Sequence, residues 1–379
     1  MKQRKLVVGI TAASSVILLE GQLAHFKALG YDTYLMAPEE ERSRAFCEKE
    51  GCTLLPIRIS REISIKSDIS TLLQVYSILS KLKPDVVNFG TPKVSLIGLF
   101  VSKILGIKNR IYTCRGFRFE HESGFKRKLL IAMERITANS AHEVICISKS
   151  VRTFGVKERI FSNQKSQVIH FGSSNGVNLS RFNPEKVIEN EIVKLKAELG
   201  LHEKFVFGFV GRIVDRKGVK ELYQAFSEIH AENKNTALLI VGGIEWSQIT
   251  DRPFFENLHN KDGVVMTGPQ PNVPLYISAM DLFVLPAWWE GFGNVLIQAA
   301  AMNRAVISTH ATGTQDAVSD GYNGILVEPK NVAALKSAML ELMNDEEKRN
   351  QLANNGATWA YNFNQSFIWE GMQKLYTKR

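Results

Sequence analysis

The feature that most constrains this chain is a repeated alternation between short apolar runs and longer amphipathic segments. Runs such as KLVVGIT, YDTYLMAP and DVVNFGT alternate with segments that have apolar residues at helical spacing, such as ISTLLQVYSILSKLK and FKRKLLIAMERITANSA. Short apolar runs of this kind are typical of buried strands, and strands that alternate with helices form doubly wound parallel sheets. The sequence therefore predicts an α/β fold.

The alternation lapses once and then restarts, which predicts two domains. Seven strand-like runs precede the interruption near residues 182–196, where Asn183-Pro184 marks a turn, and six follow it, from FVFGFVGR to GILVEP. A chain of 379 residues is also too long for one ordinary domain. We predict Rossmann-like domains over residues 1–185 and 186–358, and a C-terminal helix within 359–379 that packs back on the first domain.

The charge is unevenly distributed along the chain. Of a net +9, residues 1–185 carry 28 Lys and Arg against 16 Asp and Glu, whereas the remainder carries 19 against 22. A basic half predicts an anionic partner, namely a phospholipid surface, a nucleic acid or a phosphorylated substrate, although a solvated basic surface explains the same count. Because no base-reading motif accompanies the excess, we do not expect a nucleic-acid partner.

Several patterns favour a cytosolic protein. The four cysteines form no CxxC pair and no zinc-ligand cluster, which predicts reduced thiols. The opening apolar run is interrupted by Gly9 and Thr11 and has no clear cleavage site, so it is interpreted as a strand and a loop rather than a signal peptide. The apolar run Val94–Ile107 contains Lys103 and is shorter than the roughly 20 residues that span a bilayer.

The first segment with a chemical signature is GFVGRIVDRKGVKEL. A strand delivers Gly211 into a loop in which Arg212 and Lys217 precede a helix. Backbone N–H groups at a helix start favour anions, and Arg and Lys side chains both bind phosphate. The pattern predicts an anion site. An Arg and a Lys in a surface loop are often only solvated, so the pattern alone is weak evidence for such a site.

The second segment is PAWWEGFGNVLIQAAA, in which Glu290 stands between a strand and a helix. Small residues at Gly291 and Gly293 permit a ligand to approach the backbone closely. A carboxylate at this turn can accept hydrogen bonds from sugar hydroxyls, although an acid at a helix start is common without any ligand. Gln298 lies about two helical turns further on, on a similar face.

Together the two segments resemble the C-terminal domain of retaining GT-B glycosyltransferases of family 4, and most closely those that make bacterial capsular and surface polysaccharides. The motifs GRIVDRKG and EGFGNVLIQ match the family's Gly-Arg…Lys-Gly and Glu-x7-Glu patterns, and HATGTQDAVSDGYNGILVEP and YTCRGFRFEHESGFKRKLL are similar as well. The resemblance covers most of the chain. It implies two Rossmann-like domains that face a central cleft.

The resemblance also implies roles for individual residues. Arg212 and Lys217 would hold the donor diphosphate and Glu290 would contact the transferred sugar, which makes these three the candidate catalytic residues. The other donor-binding positions are Gly211, Asn272, Val273, Gly291, Phe292, Gly293, Asn294, Val295 and Gln298. Asn272 and Val273 belong to PNVPL, which would contact the base.

The chain departs from the family pattern at three places. Gln298 replaces the second Glu, which normally binds ribose, so nucleotide affinity or choice could differ. Arg115 stands where many relatives have a His that positions the sugar, and it stays protonated, so it cannot act as a base. The loop with Ser14 has Ala and Ser in place of two glycines. Ser14 and Arg115 are candidate contacts to donor or acceptor.

The activity implied is transfer of a hexosyl or N-acetylhexosaminyl group from a nucleotide sugar, UDP-linked, to a polyprenyl-diphosphate-linked or other glycan acceptor, with retention of configuration. No cofactor and no metal are expected. The segment beginning at Lys126, Arg127 and Lys128 predicts contact with an anionic membrane, so the enzyme would be cytoplasmic and peripheral on the inner face of the cell membrane, unless this helix is simply packed with a solvated end.

Three other interpretations use the same fold. A nucleotide-sugar 2-epimerase or a phosphorylase would turn over without a glycan acceptor or with phosphate. An inactive partner subunit is kept open by Gln298 and Arg115.

Overall fold

The computed structural model describes residues 3–60 and 64–378. These residues form two parallel sheets, of seven and six strands, and fifteen α-helices. They divide into two compact units, of which the first runs to Asn175 and resumes at Ser366, and the second is Gly176–Gln365. The first boundary therefore lies before residue 185, and the second unit extends past residue 358.

The first unit contains a seven-stranded sheet in the order β3-β2-β1-β4-β5-β6-β7. Its strands are β1 Arg4–Gly9, β2 Tyr31–Ala37, β3 Thr53–Pro56, β4 Val86–Phe89, β5 Asn109–Cys114, β6 Glu143–Cys146 and β7 Ser166–Val168. Its first helices are α1 Gln22–Ala28, α2 Glu41–Glu50, α3 Ile65–Leu82, α4 Pro92–Ile104, α5 Gly124–Ser140 and α6 Lys149–Lys157.

The second unit contains a six-stranded sheet in the order β10-β9-β8-β11-β12-β13. Its strands are β8 Phe205–Val210, β9 Thr236–Val241, β10 Val264–Gly268, β11 Leu282–Val284, β12 Ala305–Thr309 and β13 Gly324–Val327. Its helices are α7 Glu189–Glu198, α8 Val219–Glu232, α9 Arg252–Glu256, α10 Val273–Ser278, α11 Asn294–Ala301, α12 Thr314–Ala317, α13 Val332–Asn344 and α14 Glu346–Tyr361.

Different helices cover the two faces of the first sheet. One core contains Val75 of α3, Val94 of α4 and Ala138 of α5. The other contains residues of α1, α2 and the last helix, α15 Gln365–Thr377. Strands buried on both faces by amphipathic helices are what the alternating pattern predicts, and the predicted α/β fold with two parallel sheets is confirmed.

The last helix is part of the core of the first unit. The Nδ2 group of Asn88 donates to the Tyr376 hydroxyl at 2.8 Å, and Asn109 Nδ2 donates to the Leu375 carbonyl at the same distance. The ring of Tyr376 also lies 4.8 Å from the ring of Phe26. The end of the chain is thereby attached to strands β4 and β5 and to helix α1.

The strand order of the second sheet places both motif loops next to each other. Strands β8 and β11 pair in parallel, with Leu282 opposite Phe207 and Phe283 opposite Gly208. The order reverses between these two strands, and ligands of doubly wound sheets bind at the carboxyl edge where this reversal occurs. The loops that follow β8 and β11 therefore flank the expected ligand position.

Candidate functional site

Three charged side chains meet where these two loops lie side by side. Lys217 Nζ lies 2.5 Å from Glu290 Oε1, and Arg216 Nη1 lies 2.8 Å from the same oxygen. The exposed fractions are only 12% for Lys217, 20% for Arg216 and 14% for Glu290. Both cations contact Oε1, so Glu290 Oε2 has no hydrogen-bond partner among the residues that the structure describes, and it can accept one from a ligand.

The two cations keep the Glu290 carboxyl group ionised. Burial raises its pKa, but the positive charges of Lys217 and Arg216 and their hydrogen bonds outweigh burial and lower the pKa to about 2. Burial lowers the pKa of the Lys217 amine, and the Glu290 charge opposes that shift. Glu290 is therefore a carboxylate at neutral pH, suited to accept hydrogen bonds rather than to donate a proton.

The loop after β8 is pressed against the loop after β11. Asp215–Lys217 forms a 3₁₀ turn, and Gly218 follows it with a φ of +70° before α8 begins. A Cβ atom at Gly218 would lie 2.1 Å from the Pro286 carbonyl oxygen. The backbone N–H of Trp288 also donates to the backbone carbonyl of Arg216 at 2.8 Å. This close backbone approach brings Lys217 and Arg216 to Glu290.

Replacing Gly218 with alanine is expected to destabilise the second unit by roughly 2–4 kcal/mol, because it adds a clash with a backbone carbonyl to the strain of positive φ. Gly268 provides a matched control, since its φ is +68° and nothing lies within 4 Å of a Cβ there. Urea unfolding of Gly218→Ala and Gly268→Ala measures the difference. Equal losses in the two variants would show that the two loops are not in contact.

Further contacts fix the backbone on both sides of Glu290. The Trp288 indole Nε1 donates to Glu221 Oε1 at 3.0 Å, and Lys330 Nζ lies 3.9 Å from the centroid of that indole. The Glu290 N–H donates to the Thr312 carbonyl at 2.9 Å. Contacts from α8 and from the loops after β12 and β13 therefore hold the carboxylate in place, which is the rigidity that a binding site needs.

Arg212 has a different carboxylate partner from Lys217. It is half-exposed and forms an ion pair with Glu245, whose N–H donates to the Ile213 carbonyl at 3.0 Å. Because the Arg212 side chain is half-exposed, an incoming anion can reach it and compete with Glu245. The neighbouring Gly211 is close to the cluster, since a Cβ there would lie 3.9 Å from Lys217 Nζ. That Arg212 and Lys217 bind one anion stays a prediction.

The other predicted donor positions lie on the same edge with varied exposure. Phe292 is buried, and its ring packs 5.2 Å from that of Phe363, so only its main chain can contact a ligand. Gly293 precedes α11, and the Gln298 amide is half-buried with no hydrogen-bond partner in the described part of the chain. The remaining positions are Gly291, Asn294 and Val295, which are half-buried, and Asn272 and Val273 at the start of α10.

The two predicted positions of the first unit also lie after strands at a carboxyl edge. Arg115 follows β5, where its Nε donates to Ser174 Oγ at 2.6 Å and its Nη1 fills the space that a Cβ at Gly90 would take. Burial lowers the pKa of its guanidinium to about 10, so it remains charged. Ser14 is exposed on a 3₁₀ turn after β1 and lines a cleft of about 300 Å³.

Sequence reasoning missed Arg216 and Glu245. Arg216 directly precedes Lys217 in the same strand-to-helix loop, and two adjacent cations at that position were a usable signal. Glu245 lies in the loop after β9, and nothing in its local sequence indicates that it pairs with Arg212.

Comparisons with known proteins decide the family. The family described as "Glycosyl transferases group 1" matches residues 192–359, and "Glycosyl transferase 4-like" matches residues 9–148. The chain is also 33% identical, over 99% of its length and 97% of the relative's, to the capsular polysaccharide biosynthesis glycosyltransferase CapM of Staphylococcus aureus. The chain belongs to the group 1, family-4-like glycosyltransferases. This confirms the resemblance seen in its motifs, and the protein is an enzyme.

Two further proteins are similar to this glycosyltransferase. It is 26% identical, over 76% of its own length and 74% of the relative's, to the Escherichia coli UDP-Gal:alpha-D-GlcNAc-diphosphoundecaprenol alpha-1,3-galactosyltransferase. Its fold matches that of Anabaena Alr3699/HepE, solved with UDP and glucose, with a TM-score of 0.83, 18% identity and full coverage of both chains. The predicted GT-B fold is thereby confirmed.

Proposed function

We propose that this glycosyltransferase moves a hexosyl or N-acetylhexosaminyl group from a UDP-linked sugar to a growing, lipid-linked surface polysaccharide, with retention of anomeric configuration. The observation that carries the proposal is the cluster of Lys217, Arg216 and Glu290 at the strand-order reversal of the second sheet. The names of the S. aureus and E. coli relatives support a capsular product, a UDP-sugar donor and a diphosphoundecaprenol-linked acceptor.

The site has the charge that a departing diphosphate requires. Three cations, Arg212, Arg216 and Lys217, stand against two carboxylates, Glu245 and Glu290. When the bond between the anomeric carbon and the β-phosphate oxygen breaks, the leaving oxygen gains negative charge. Lys217 and Arg212 stabilise that charge, and fixed charges in a site that excludes water are most effective for this. No metal ion and no cofactor are needed in this proposal.

The acceptor hydroxyl then attacks the anomeric carbon on the face from which the nucleotide leaves, and its proton passes to the departing phosphate oxygen. This sequence retains the anomeric configuration and needs no protein nucleophile. Glu290 Oε1 is occupied by two cations, whereas Oε2 is available to accept a hydrogen bond from the donor sugar. Its role is to orient the sugar, which lowers the barrier by fixing the reacting atoms.

The proposal is tested with a panel of UDP-, GDP- and dTDP-sugars. A donor that binds only the folded chain stabilises it by about 2.7 kcal/mol at 100 times its Kd, so a UDP-sugar should raise the melting temperature and the other nucleotides should not. Transfer to a diphosphoundecaprenol-linked sugar is then followed by NMR in the presence of EDTA, with an α-linked product expected from an α-linked donor. An inverted product, EDTA inhibition or turnover without an acceptor would each contradict it.

We also propose that the enzyme acts at the cytoplasmic face of a membrane. Its donor is dissolved in water whereas its acceptor is anchored in lipid, so the site must meet both at a bilayer surface. No helix in the described part of the chain has the length and apolar character that a bilayer span requires.

A further inference from the structure

The outer sides of three neighbouring helices carry an unusual share of exposed apolar side chains. Of the sixteen large apolar side chains that are exposed among residues 3–60 and 64–378, nine lie on α3, α4 and α5. Single exposed apolar residues are normal, but a contiguous set of them marks an interaction site. We call the outer sides of these three helices the α3–α5 face.

On two of the helices the exposed residues form stripes. Ile65, Ile69 and Leu73 of α3 follow one another at intervals of four, and they are 77%, 56% and 63% exposed. On α5, Phe125 and Leu129 are 81% and 39% exposed, with Ile136 two turns further on. Residues at such spacings share one side of a helix. Each helix therefore has an apolar inner side in the core and an apolar outer side in solvent.

The two stripes belong to one continuous layer. Helix α4 packs against α3 on one side and against α5 on the other, and all three contribute to the same core beneath the sheet. Between the stripes α4 adds Phe100 and Ile104, which are 40% and 59% exposed. The apolar residues therefore extend across all three helices rather than along a single one.

The α3–α5 face carries an excess of positive charge, although Lys93 is buried and Lys126 and Arg127 form ion pairs with Glu122 and Glu158. The three helices contain eight Lys and Arg but two acids, Asp68 and Glu134. Asp68 is 2.7 Å from the buried Lys93, and Glu134 is buried and accepts a hydrogen bond from the Tyr112 hydroxyl at 2.7 Å. Neither acid therefore presents an unpaired charge to a partner.

We propose that the α3–α5 face docks on an anionic lipid bilayer. Apolar stripes enter the boundary between headgroups and acyl chains. The exposed Lys103 and Lys128 extend to the lipid phosphates, as does Lys126 when a phosphate replaces Glu122 as its partner. A second copy of the chain fits less well, because it would bring two basic faces together. The inference rests on the proposed function, in which the acceptor is lipid-linked, and it names the surface that brings the enzyme to it.

The test is flotation of the full chain with phosphatidylglycerol-containing and pure phosphatidylcholine vesicles. We expect binding to the anionic vesicles only, weakened by salt. The variant Ile69→Ser/Leu73→Ser/Phe125→Ser/Leu129→Ser should lower the partition coefficient about 100-fold or more, since each side chain loses apolar burial. The variant Lys103→Gln/Lys126→Gln/Lys128→Gln should lower it about 100-fold at low salt.

A matched control is Ile188→Ser/Val193→Ser in the second unit, whose side chains are 60% and 51% exposed. It should float like the wild type, and melting temperatures establish that each variant folds. The proposal is overturned if the wild-type chain does not bind anionic vesicles, or if the four-serine variant binds them as well as the wild type. It is also overturned if light scattering shows that the face mediates only self-association of the chain. UDP binding is measured on the same samples, so vesicle binding without UDP binding would reject the proposed function and leave the docking surface standing.

Discussion

Replacing Lys217 with alanine is expected to lower kcat for sugar transfer by about 10²–10³-fold, the range found when one preorganised donor to a developing oxyanion is removed. The Lys217 amine is nearly buried, so water cannot take over its charge. Arg216 still contacts Glu290 Oε1 in this variant, so the carboxylate is not left unpaired and the chain should fold. Steady-state kinetics with the preferred UDP-sugar give both kcat and KM.

Lys220→Ala is the matched control for this experiment. Lys220 lies three residues later, at the start of α8, and forms an exposed ion pair with Asp251 at 2.6 Å. Its removal should change kcat less than twofold, since exposed ion pairs contribute little. Near-wild-type turnover of Lys217→Ala would remove Lys217 from the site, and an equal loss in Lys220→Ala would point to a general effect of charge.

The substitution Glu290→Gln is expected to separate sugar recognition from diphosphate recognition. It should lower kcat/KM by about 10²-fold or more, because the orienting carboxylate is lost in the transition state. Affinity for UDP itself, which carries no sugar, should be retained or increased, since Lys217 and Arg216 lose their negative partner. Isothermal titration with UDP and kinetics with the UDP-sugar measure the two effects, with Asp251→Asn as the control. Equal losses of UDP affinity and turnover would contradict the proposal that Glu290 contacts the sugar rather than the diphosphate.

The same substitution should change how stability depends on acid. The folded pKa of Glu290 is about 2 against an ordinary value of 4.5, so the carboxylate stabilises the fold fully above about pH 4.5 and less as the pH falls towards 2. In Glu290→Gln this contribution is absent, and its urea midpoint should fall less steeply with acid than that of the wild type in that range.

The architecture could be predicted because most of the strands are buried by helices on both faces of their sheets. All thirteen strand-like runs of the sequence are strands, from β1 to β13, since short apolar runs that alternate with amphipathic helices are typical of a doubly wound sheet. The sequence analysis predicts that a C-terminal helix packs on the first domain, but it does not predict the contacts that hold α15 there. Asn88 and Tyr376, for example, are 288 residues apart, and no local pattern specifies such a pair.

The site could be predicted only in part, for a similar reason. The spacing of Arg212, Lys217 and Glu290 within their motifs is local information, and it indicated the two loops that the strand order brings together. Which cation contacts which carboxylate depends on the 3₁₀ turn at Asp215–Lys217 and on the loop after β9. The contacts of Arg216 and Glu245 with their charged partners therefore emerged only from the structure.

The most direct test of the central claim is a crystal structure of the chain with UDP bound. We expect the β-phosphate at the carboxyl edge between β8 and β11, with its oxygens about 2.7–2.9 Å from Lys217 Nζ and from the guanidinium of Arg212, which will have left Glu245. A diphosphate bound elsewhere, with Arg212 still paired to Glu245 and Lys217 contacting only Glu290, would contradict the account.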